Sequence, residues 1–255
     1  MKIARFSHND AIKYGIVDGA ELVVLSGDPM FAGFDTTGER VSIADVALLA
    51  PVIPRSKVVC VGRNYRDHAA ELNNDVPKEP LLFFKPNTAV IGPGDAIVRP
   101  PQTNDTQWEG ELAVVIGKIA KNVKAEDAND VIFGYTIAND VTARDLQGPD
   151  RQWARAKGMD TFCPIGPAIE TEFDVSKGEI ITRHNDVEVQ RGPFTDMIFD
   201  IPTIIEYITA AFTLLPGDVV LTGTPAGVGA FTGGDSVEVE VPGIGILRNI
   251  ARDAA

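Results

Sequence analysis

The sequence has very little cysteine and no long hydrophobic run. Two cysteines among 255 residues, with no CxxC pair, do not provide a disulfide framework. No apolar run approaches the ~18 residues that a transmembrane helix requires, and the N-terminal stretch MKIARFSHND contains no apolar signal core. We therefore expect a cytoplasmic protein without a membrane partner.

Positive charge is also scarce. The chain carries 23 Lys and Arg against 36 Asp and Glu, so its formal net charge is −13 at pH 7. A basic surface for DNA or RNA is not expected at this charge, which argues against a nucleic-acid partner. The remaining composition, 44% hydrophobic and 23% charged, is typical of a globular protein with one mid-sized domain and a small appendage.

Turn-forming residues divide the chain into two parts. Residues 1–54 contain short strand-like runs separated by turn pairs and end at two prolines, so we predict a small N-terminal β-rich domain. Residues 55–255 contain further strand-like runs, and helical patterns occur mainly at 65–74 and 201–214. Because strands and helices do not alternate strictly, we predict a β-rich α+β fold with a rolled or barrel-like sheet.

Three carboxylates mark the ends of predicted strands. In WEGELAVVIG, Glu109 and Glu111 are two positions apart, and positions i and i+2 of a strand point to the same face. Asp140 follows the strand-like run 132–138. Like charges this close repel unless a proton or a cation lies between them, and three carboxylates suit a hard divalent cation such as Mg²⁺. On spacing alone, a solvated strand edge with unrelated acids stays an alternative.

A histidine and a glutamate form a second candidate pair. His68 and Glu71 in RDHAAE are three positions apart on a short predicted helix, so they lie on one face. A carboxylate beside a histidine fixes its tautomer and raises its basicity, so such a pair can deprotonate a water molecule. A chance pair on a solvated helix is the alternative. A zinc site is not expected, because no second histidine lies near His68.

Two lysines and a glycine-rich loop complete the set of candidates. Lys85 follows an apolar strand and Lys157 precedes a turn-rich loop. A lysine in either place can neutralise a substrate carboxylate or a developing enolate, and a surface lysine is the alternative for each. The stretch LLPGDVVLTGTPAGVG ends a strand in a loop whose amides and Thr224 hydroxyl can hold a small anion. Pro225 and the lack of a following helix argue against a dinucleotide fingerprint.

In this order, the stretches resemble the fumarylacetoacetate hydrolase family over roughly residues 57–250. The resemblance is carried by six motifs: VGRNYRDHAAE, FFKPNTAVIGPGD, WEGELAVVIGK, GYTIANDVTARDLQ, ARAKGMDTFCPIGP and LLPGDVVLTGTPAGVG. The first 50 residues are similar to the small N-terminal extension of many bacterial members. The resemblance implies the family's mixed β-roll fold and a homodimer.

The resemblance also implies roles for the candidate residues. The positions that match the ligands of Mg²⁺ or Mn²⁺ are Glu109, Glu111 and Asp140. The matching catalytic residues are His68, Glu71 and Lys157, of which the first two belong to a mobile lid. The matching substrate-binding residues are Lys85, Gln147 and Thr224.

The family acts on 2-oxo acids in several ways. Its members hydrolyse acylpyruvates, decarboxylate oxaloacetate, or isomerise 2-hydroxy-dienedioates from aromatic catabolism. The complete His68–Glu71 pair favours water activation, so the resemblance implies a metal-dependent hydrolase of acylpyruvates or 2-oxo dicarboxylic acids, with oxaloacetate decarboxylation as a further activity. A 2-hydroxyhepta-2,4-diene-1,7-dioate isomerase is the main alternative, and a non-catalytic ligand-binding relative is a distant one.

Overall fold

A computed structural model describes residues 1–254, in which more residues lie in β-strands than in helices. In chain order the strands are β1 (Lys2–His8), β2 (Ala11–Asp18), β3 (Glu21–Leu25), β4 (Thr36–Ser42), β5 (Ala47–Leu49), β6 (Val58–Gly62), β7 (Leu81–Lys85), β8 (Val90–Ile91), β9 (Ala96–Arg99), β10 (Thr106–Trp108), β11 (Gly110–Ile116), β12 (Ile132–Asn139), β13 (Thr142–Ala143), β14 (Cys163–Glu170), β15 (Glu179–His184), β16 (Val187–Pro193), β17 (Val219–Leu221), β18 (Gly229–Ala230), β19 (Ser236–Val241) and β20 (Gly245–Asp253). The helices are α1 (Pro29–Ala32), α2 (Arg66–Glu71), α3 (Arg144–Asp150), α4 (Ala154–Gly158) and α5 (Ile201–Ala211). Short 3-10 segments lie at Ile43–Asp45, Asn87–Ala89, Ala125–Val131, Val175–Lys177 and Phe194–Asp196. Among these described residues, no helix combines the length and the apolar character needed to cross a membrane.

The first 50 residues form an antiparallel unit at one end of the largest sheet. Strands β1 and β2 are joined by Asn9 and Asp10, which both have positive φ, as a two-residue type I′ hairpin turn requires. Side chains of this unit enclose a separate small core that includes Phe6, Leu22 and Val41. Strand β1 also pairs with β14, so the sheet continues from the unit into the body of the protein. The division of the chain after residue 54 stays a prediction.

The largest sheet has the order β4-β3-β2-β1-β14-β12-β11-β17-β6-β7, with β5 on β1 and β8 on β14. Strand β11 is buried along its whole length, as its run of branched apolar residues predicts for a strand covered on both faces. A five-stranded sheet has the order β16-β15-β19-β20-β9, and a three-stranded sheet has the order β13-β10-β18. The β-rich α+β prediction is confirmed. Within residues 1–254 each sheet stays open, so a closed barrel is not formed.

The main core lies between the largest sheet, the five-stranded sheet and helix α5. Helix α5 begins after Asp200, whose carboxylate accepts a hydrogen bond from the Thr203 backbone N at 2.9 Å, and Pro202 lies in the first turn. The four isoleucines of the helix are buried against the sheets. The helix ends at Ala211 because Phe212 is extended, so the predicted span 201–214 was too long at its C-terminal end.

Candidate active site

Three buried carboxylates meet at one end of the central strands. Glu109 precedes β11, Glu111 lies within it, and Asp140 directly follows β12. These strands pair antiparallel with Gly110 opposite Asn139, so the start of one lies beside the end of the other. One oxygen atom from each acid lies within 4.8 Å of the corresponding atoms of the other two. The structure thus brings together the three acids that the sequence placed at strand ends.

Basic side chains compensate part of this negative charge. Arg144 Nη2 lies 2.5 Å from Glu109 Oε1, and Lys157 Nζ lies 2.6 Å from Glu109 Oε2 and 2.8 Å from Asp140 Oδ2. Burial by itself raises the pKa of Glu109, but the charges of Lys157 and Arg144 outweigh burial and hold that pKa well below its usual range. Burial lowers the pKa of Lys157, but the charges of Asp140 and Glu109 outweigh it and raise that pKa. Glu109 is therefore a carboxylate and Lys157 an ammonium at neutral pH.

Glu111 lacks a cationic partner. Its Oε2 accepts a hydrogen bond from the Gly223 backbone N at 2.6 Å, and within residues 1–254 no lysine, arginine or histidine nitrogen lies within 4.0 Å of its carboxylate. Burial and the charges of Asp140 and Glu109 raise the pKa of Glu111 well above its usual range. A divalent cation among the three acids would favour the charged form. Because buried carboxylate oxygens suit Mg²⁺ and Mn²⁺, the donor set fits such an ion.

Lys85 forms a buried ion pair with one of the three acids. Its Nζ is 2.6 Å from Asp140 Oδ1, and it donates to the carbonyl oxygens of Val141 (3.0 Å), Phe162 (2.7 Å) and Lys157. The three donors of this buried ammonium are thereby used within the protein. This geometry assigns Lys85 to positioning Asp140 and the chain around Lys157. Its contact with a substrate stays a prediction, and these bonds do not favour it.

The predicted histidine–glutamate pair is in contact on helix α2. His68 Nδ1 lies 3.3 Å from Glu71 Oε2, and Glu71 Oε1 accepts a hydrogen bond from the Gly227 backbone N at 3.0 Å. Glu71 is therefore held by the glycine-rich loop while it orients the imidazole. The other imidazole nitrogen, Nε2, is left for a proton transfer. His68 lines the same cavity as the three acids, so the imidazole lies close to them.

A narrow cavity joins the pair to the acids. Its volume is about 30 Å³, which is room for roughly one or two water molecules. The lining residues are Val61, Gly62, Arg63, His68, Leu72, Asn74, Phe83, Glu109, Glu111, Asp140, Arg144, Gln147, Trp153, Lys157 and Thr224. Of the nine residues that the sequence proposed for the site, all but Lys85 and Glu71 line this cavity, and Glu71 reaches it through His68.

The two predicted polar substrate contacts are held by other side chains. Gln147 Oε1 accepts a hydrogen bond from Arg144 Nη1 at 2.7 Å. Thr224 Oγ1 accepts one from Gln190 Nε2 at 2.9 Å, so the Thr224 hydroxyl hydrogen is free to be donated into the cavity. Their roles toward substrate stay predictions, and the geometry leaves both side chains facing the cavity.

Two arginines of the cavity were missed in the sequence. Arg144 links Glu109 to Gln147, as described above. Arg63 lies with its guanidinium carbon 6.0 Å from the centre of the Trp153 ring, and within residues 1–254 no carboxylate oxygen lies within 4.0 Å of its nitrogens. Both arginines stand inside motifs quoted above, but an arginine in such a stretch is usually a surface residue, so neither position was marked. Both arginines line the cavity.

The chain matches two family profiles. The profile described as "Fumarylacetoacetate (FAA) hydrolase C-terminal" covers residues 57–251, and the profile described as "Rv2993c-like, N-terminal" covers residues 1–51. The first of these therefore spans all the site residues described above.

Several proteins with enzyme names are similar to the whole or most of this chain. The mitochondrial oxaloacetate tautomerase FAHD2A of Homo sapiens is 44% identical over 218 residues, which are 81% of this chain and 69% of that protein. The crystal structure of 2-hydroxyhepta-2,4-diene-1,7-dioate isomerase from Mycobacterium marinum has a TM-score of 0.93 and 43% identity, over 100% of this chain and 99% of that one. Maleylpyruvate hydrolase from Sphingobium sp. SYK-6, in complex with manganese(II) and pyruvate, has a TM-score of 0.82 and 29% identity over 100% of both chains. With these relatives and a family profile over residues 57–251, the chain belongs to the fumarylacetoacetate hydrolase family.

Proposed function

We propose that this protein is a Mg²⁺- or Mn²⁺-dependent enzyme that hydrolyses a carbon–carbon bond of acylpyruvates or related 2-oxo dicarboxylic acids and also decarboxylates oxaloacetate. The observation that carries the proposal is one cavity in which three buried acids face a histidine–glutamate pair and two arginines. A cation, a proton-transfer group and an anion-binding end are the three parts that hydrolysis of such an acid requires. Action in the cytoplasm and as a homodimer belongs to the same proposal.

Glu109, Glu111 and Asp140 would hold the metal ion. When bound, the ion polarises the oxygens of a 2-oxo acid and stabilises negative charge that develops on them. The manganese and pyruvate in the complex of the Sphingobium hydrolase support both the ion and the substrate class.

His68 would activate the attacking water. Glu71 fixes the imidazole through Nδ1, so Nε2 accepts a proton from water as its oxygen attacks the distal carbonyl. The bond between that carbonyl carbon and C3 of the pyruvate part then breaks, and the electron pair passes to the pyruvate enolate. The imidazolium returns its proton to C3, which yields pyruvate and the second carboxylic acid.

Lys157 would stabilise the enolate by charge. Because its pKa is raised and its ammonium is held by Glu109 and Asp140, it remains cationic and does not act as a base. A buried cation fixed beside the developing negative charge needs little reorganisation during the reaction. Decarboxylation of oxaloacetate would use the same charge stabilisation without an attacking water.

Arg63 would select the distal end of the substrate. Arg144 is already held by Glu109 and Gln147, whereas Arg63 faces the cavity without a carboxylate partner within residues 1–254. A guanidinium in this state suits a second carboxylate on the substrate. The proposal therefore favours acylpyruvates that carry a distal acid group.

Keto–enol tautomerisation of oxaloacetate is a second candidate. The similarity to the human tautomerase, 44% over 81% of this chain, favours it. It would require proton transfer by His68 and no attacking water. The similarity to the isomerase from Mycobacterium marinum keeps proton movement along a dienedioate as a third reaction of the same groups.

A substrate panel tests these candidates. The metal-stripped protein, before and after addition of Mg²⁺ or Mn²⁺, is given acetylpyruvate, fumarylpyruvate, oxaloacetate and 2-hydroxyhepta-2,4-diene-1,7-dioate. Metal-dependent release of pyruvate from an acylpyruvate, faster for fumarylpyruvate than for acetylpyruvate, is the expected result. Loss of enol absorbance from oxaloacetate without pyruvate, or isomerisation of the dienedioate alone, would overturn the hydrolase assignment.

A further inference from the structure

A second cavity lies where the N-terminal antiparallel unit meets the rest of the protein. Its volume is about 400 Å³, within the range of roughly 300–1,000 Å³ that small-molecule sites occupy. It shares no lining residue with the catalytic cavity. Strands β1 and β2 contribute Arg5 and Tyr14, the segment after β5 contributes Arg55, and β12 contributes Phe133. Both parts of the chain are therefore needed to form it.

Two arginines face this cavity without a counterion of their own. Within residues 1–254, no carboxylate oxygen lies within 4.0 Å of the nitrogens of Arg5 or Arg55. The guanidinium carbon of Arg55 lies 4.1 Å from the centre of the Phe31 ring, which holds the charge in place by a cation–π contact. Arg5 Nη1 is fixed by the Ala50 carbonyl oxygen at 3.4 Å. The chain has 36 acidic and 23 basic residues. Two arginines without a carboxylate partner at one cavity therefore require a physical explanation.

The acidic side chain of the cavity is already in use. Asp28 caps helix α1 by accepting a hydrogen bond from the Met30 backbone N at 3.0 Å, and it accepts a second from the Tyr14 hydroxyl at 3.3 Å. Burial and Asp28 raise the pKa of Tyr14 while the charges of Arg5 and Arg55 act to lower it, so both guanidiniums lie near the one hydroxyl. Two arginines and one aspartate leave a net charge of +1, which matches a monoanion.

Part of the remaining wall is apolar. It includes the side chains of Met30, Phe31, Val52, Ile53, Phe133 and Ile169. An inorganic anion would fill little of this space, and a dianion would exceed the net charge. A ligand with one carboxylate and an apolar body would satisfy both the arginines and the wall.

We propose that this cavity is a second ligand site, which binds a small monocarboxylate with an aromatic or branched aliphatic body. The carboxylate lies between Arg5 and Arg55, which offer paired N–H donors in the geometry that a carboxylate accepts. The body of the ligand lies against the wall formed by both parts of the chain. This site is independent of the acids, the histidine pair and the proposed reaction.

Binding of 4-fluorobenzoate to the full-length protein, followed by ¹⁹F NMR, tests the site. Arg55→Gln is the first variant because Arg55 is exposed, so we expect its loss to leave the fold intact. We expect it to weaken binding roughly tenfold, as loss of a hydrogen bond to a charged group does, and Arg5→Gln combined with it to weaken binding further. The neutral isostere 4-fluorobenzamide should bind at least about tenfold more weakly than the acid for the same reason.

Two matched variants distinguish this site from general charge attraction and from binding in the catalytic cavity. Arg40→Gln removes the same charge from the same unit, where Arg40 is paired with Asp18 and Glu21, and Glu111→Gln alters the catalytic cavity. Both should bind 4-fluorobenzoate as the parent protein does. Unchanged binding in the double arginine variant, loss of binding in Glu111→Gln, or a parent Kd weaker than about 10 mM would each overturn the proposal.

Discussion

The two walls of the candidate catalytic cavity are built in different ways. The acid wall stands on β11 and β12 in the middle of the largest sheet, and its carboxylates are buried among backbone donors and cations. The facing wall is helix α2, which has six residues and no side-chain cap at its N-terminus, where Tyr65 stands. It ends near Asn73, which has a positive φ, and much of the following segment 73–79 is exposed.

This difference fits the function proposed for each wall. Like charges repel, so three acids stay together only if the backbone that carries them cannot move apart. A cavity of about 30 Å³ is smaller than the proposed 2-oxo acid substrate, so we expect one wall to open to admit it. Short elements with few buried contacts open at the lowest free-energy cost. The structure therefore combines a fixed wall, which would hold the proposed metal ion, with a short and more exposed wall that carries the proposed proton-transfer pair.

The largest effect is expected from the acid wall. Glu111→Gln keeps the size of the side chain and removes the carboxylate that lacks a cationic partner. We expect metal affinity to fall more than about 100-fold, beyond the range seen for outer-shell partners, and turnover of every substrate to fall with it. The melting temperature should not fall, because the amide replaces a buried acid whose charge is disfavoured.

Glu126→Gln, at an exposed acid of a 3-10 segment, is the matched control for that change. Metal-dependent turnover should be unaffected in it. Full turnover in Glu111→Gln would remove the acid wall from the mechanism.

The next largest effect is expected for loss of the histidine on helix α2, and it should differ between the two reactions. His68→Ala should lower acylpyruvate hydrolysis by about 10²–10⁴-fold, the range for loss of a general base. It should leave metal affinity and oxaloacetate decarboxylation near the parent values, because neither requires an activated water. Pyruvate release from both substrates is measured at saturating metal, with His8→Ala in the N-terminal unit as control. If both activities fall equally, the division between the walls is wrong.

A smaller effect is expected at the base of the acid wall. Asp218, just before β17, accepts hydrogen bonds from the Ser56 hydroxyl (2.6 Å), the Lys57 ammonium (2.7 Å) and the Leu215 backbone N (2.9 Å). Asp218→Asn leaves buried donors poorly matched and should lower the free energy of unfolding by about 2–4 kcal/mol at neutral pH.

The pH dependence of that difference has a definite sign. Burial raises the pKa of Asp218, but its hydrogen bonds to Lys57 and Ser56 outweigh burial and hold the pKa below its usual range. A lowered pKa in the folded state gives stability above the unfolded value of about 3.9, and that stability is lost as the pH falls through the lowered pKa. Urea unfolding at neutral and acid pH should show the gap between parent and Asp218→Asn narrowing in acid. A gap that widens in acid would contradict this account.

Local unfolding of helix α2 is expected to require the smallest free energy of the changes described here. Hydrogen exchange followed by mass spectrometry should show peptides over 66–75 exchanging far faster than peptides over 110–116, because helix α2 opens locally while β11 exchanges only by larger unfolding. Addition of Mn²⁺ and oxalate should slow exchange in 66–75. Equal protection of the two segments would mean that another part of the cavity admits the substrate.

Sequence patterns identified residues of both walls because each pattern is local. Glu109 and Glu111 are marked by their two-residue spacing before an apolar strand, and Asp140 by its place after one. The three-residue spacing of His68 and Glu71 predicted a helix face, and α2 has them in contact. Residue spacing is enough to predict that side chains lie together when the residues share one helix or strand, or lie at the ends of strands.

Contacts between distant segments were not predictable in this way. Lys85 donates to carbonyl oxygens of residues 56, 72 and 77 positions later in the chain, and no period in the sequence records such bonds. The pairing of β1 with β14 is equally distant. Helix α3 was missed because Gly148 and Pro149 interrupt its helical pattern. Helix α4 has only five residues, too few to show a helical period. Arg63 and Arg144 lie within the quoted motifs, but only the structure shows that they line the cavity.

Manganese binding measured by electron paramagnetic resonance tests the central claim most directly. The metal-stripped parent protein is titrated with Mn²⁺, whose free six-line signal is lost on binding, alongside Glu111→Gln and Glu126→Gln. The account predicts one bound ion per chain in the parent and in Glu126→Gln, and none at the same concentration in Glu111→Gln. Equal binding in all three proteins, or no binding in the parent, would contradict a metal centre at Glu109, Glu111 and Asp140.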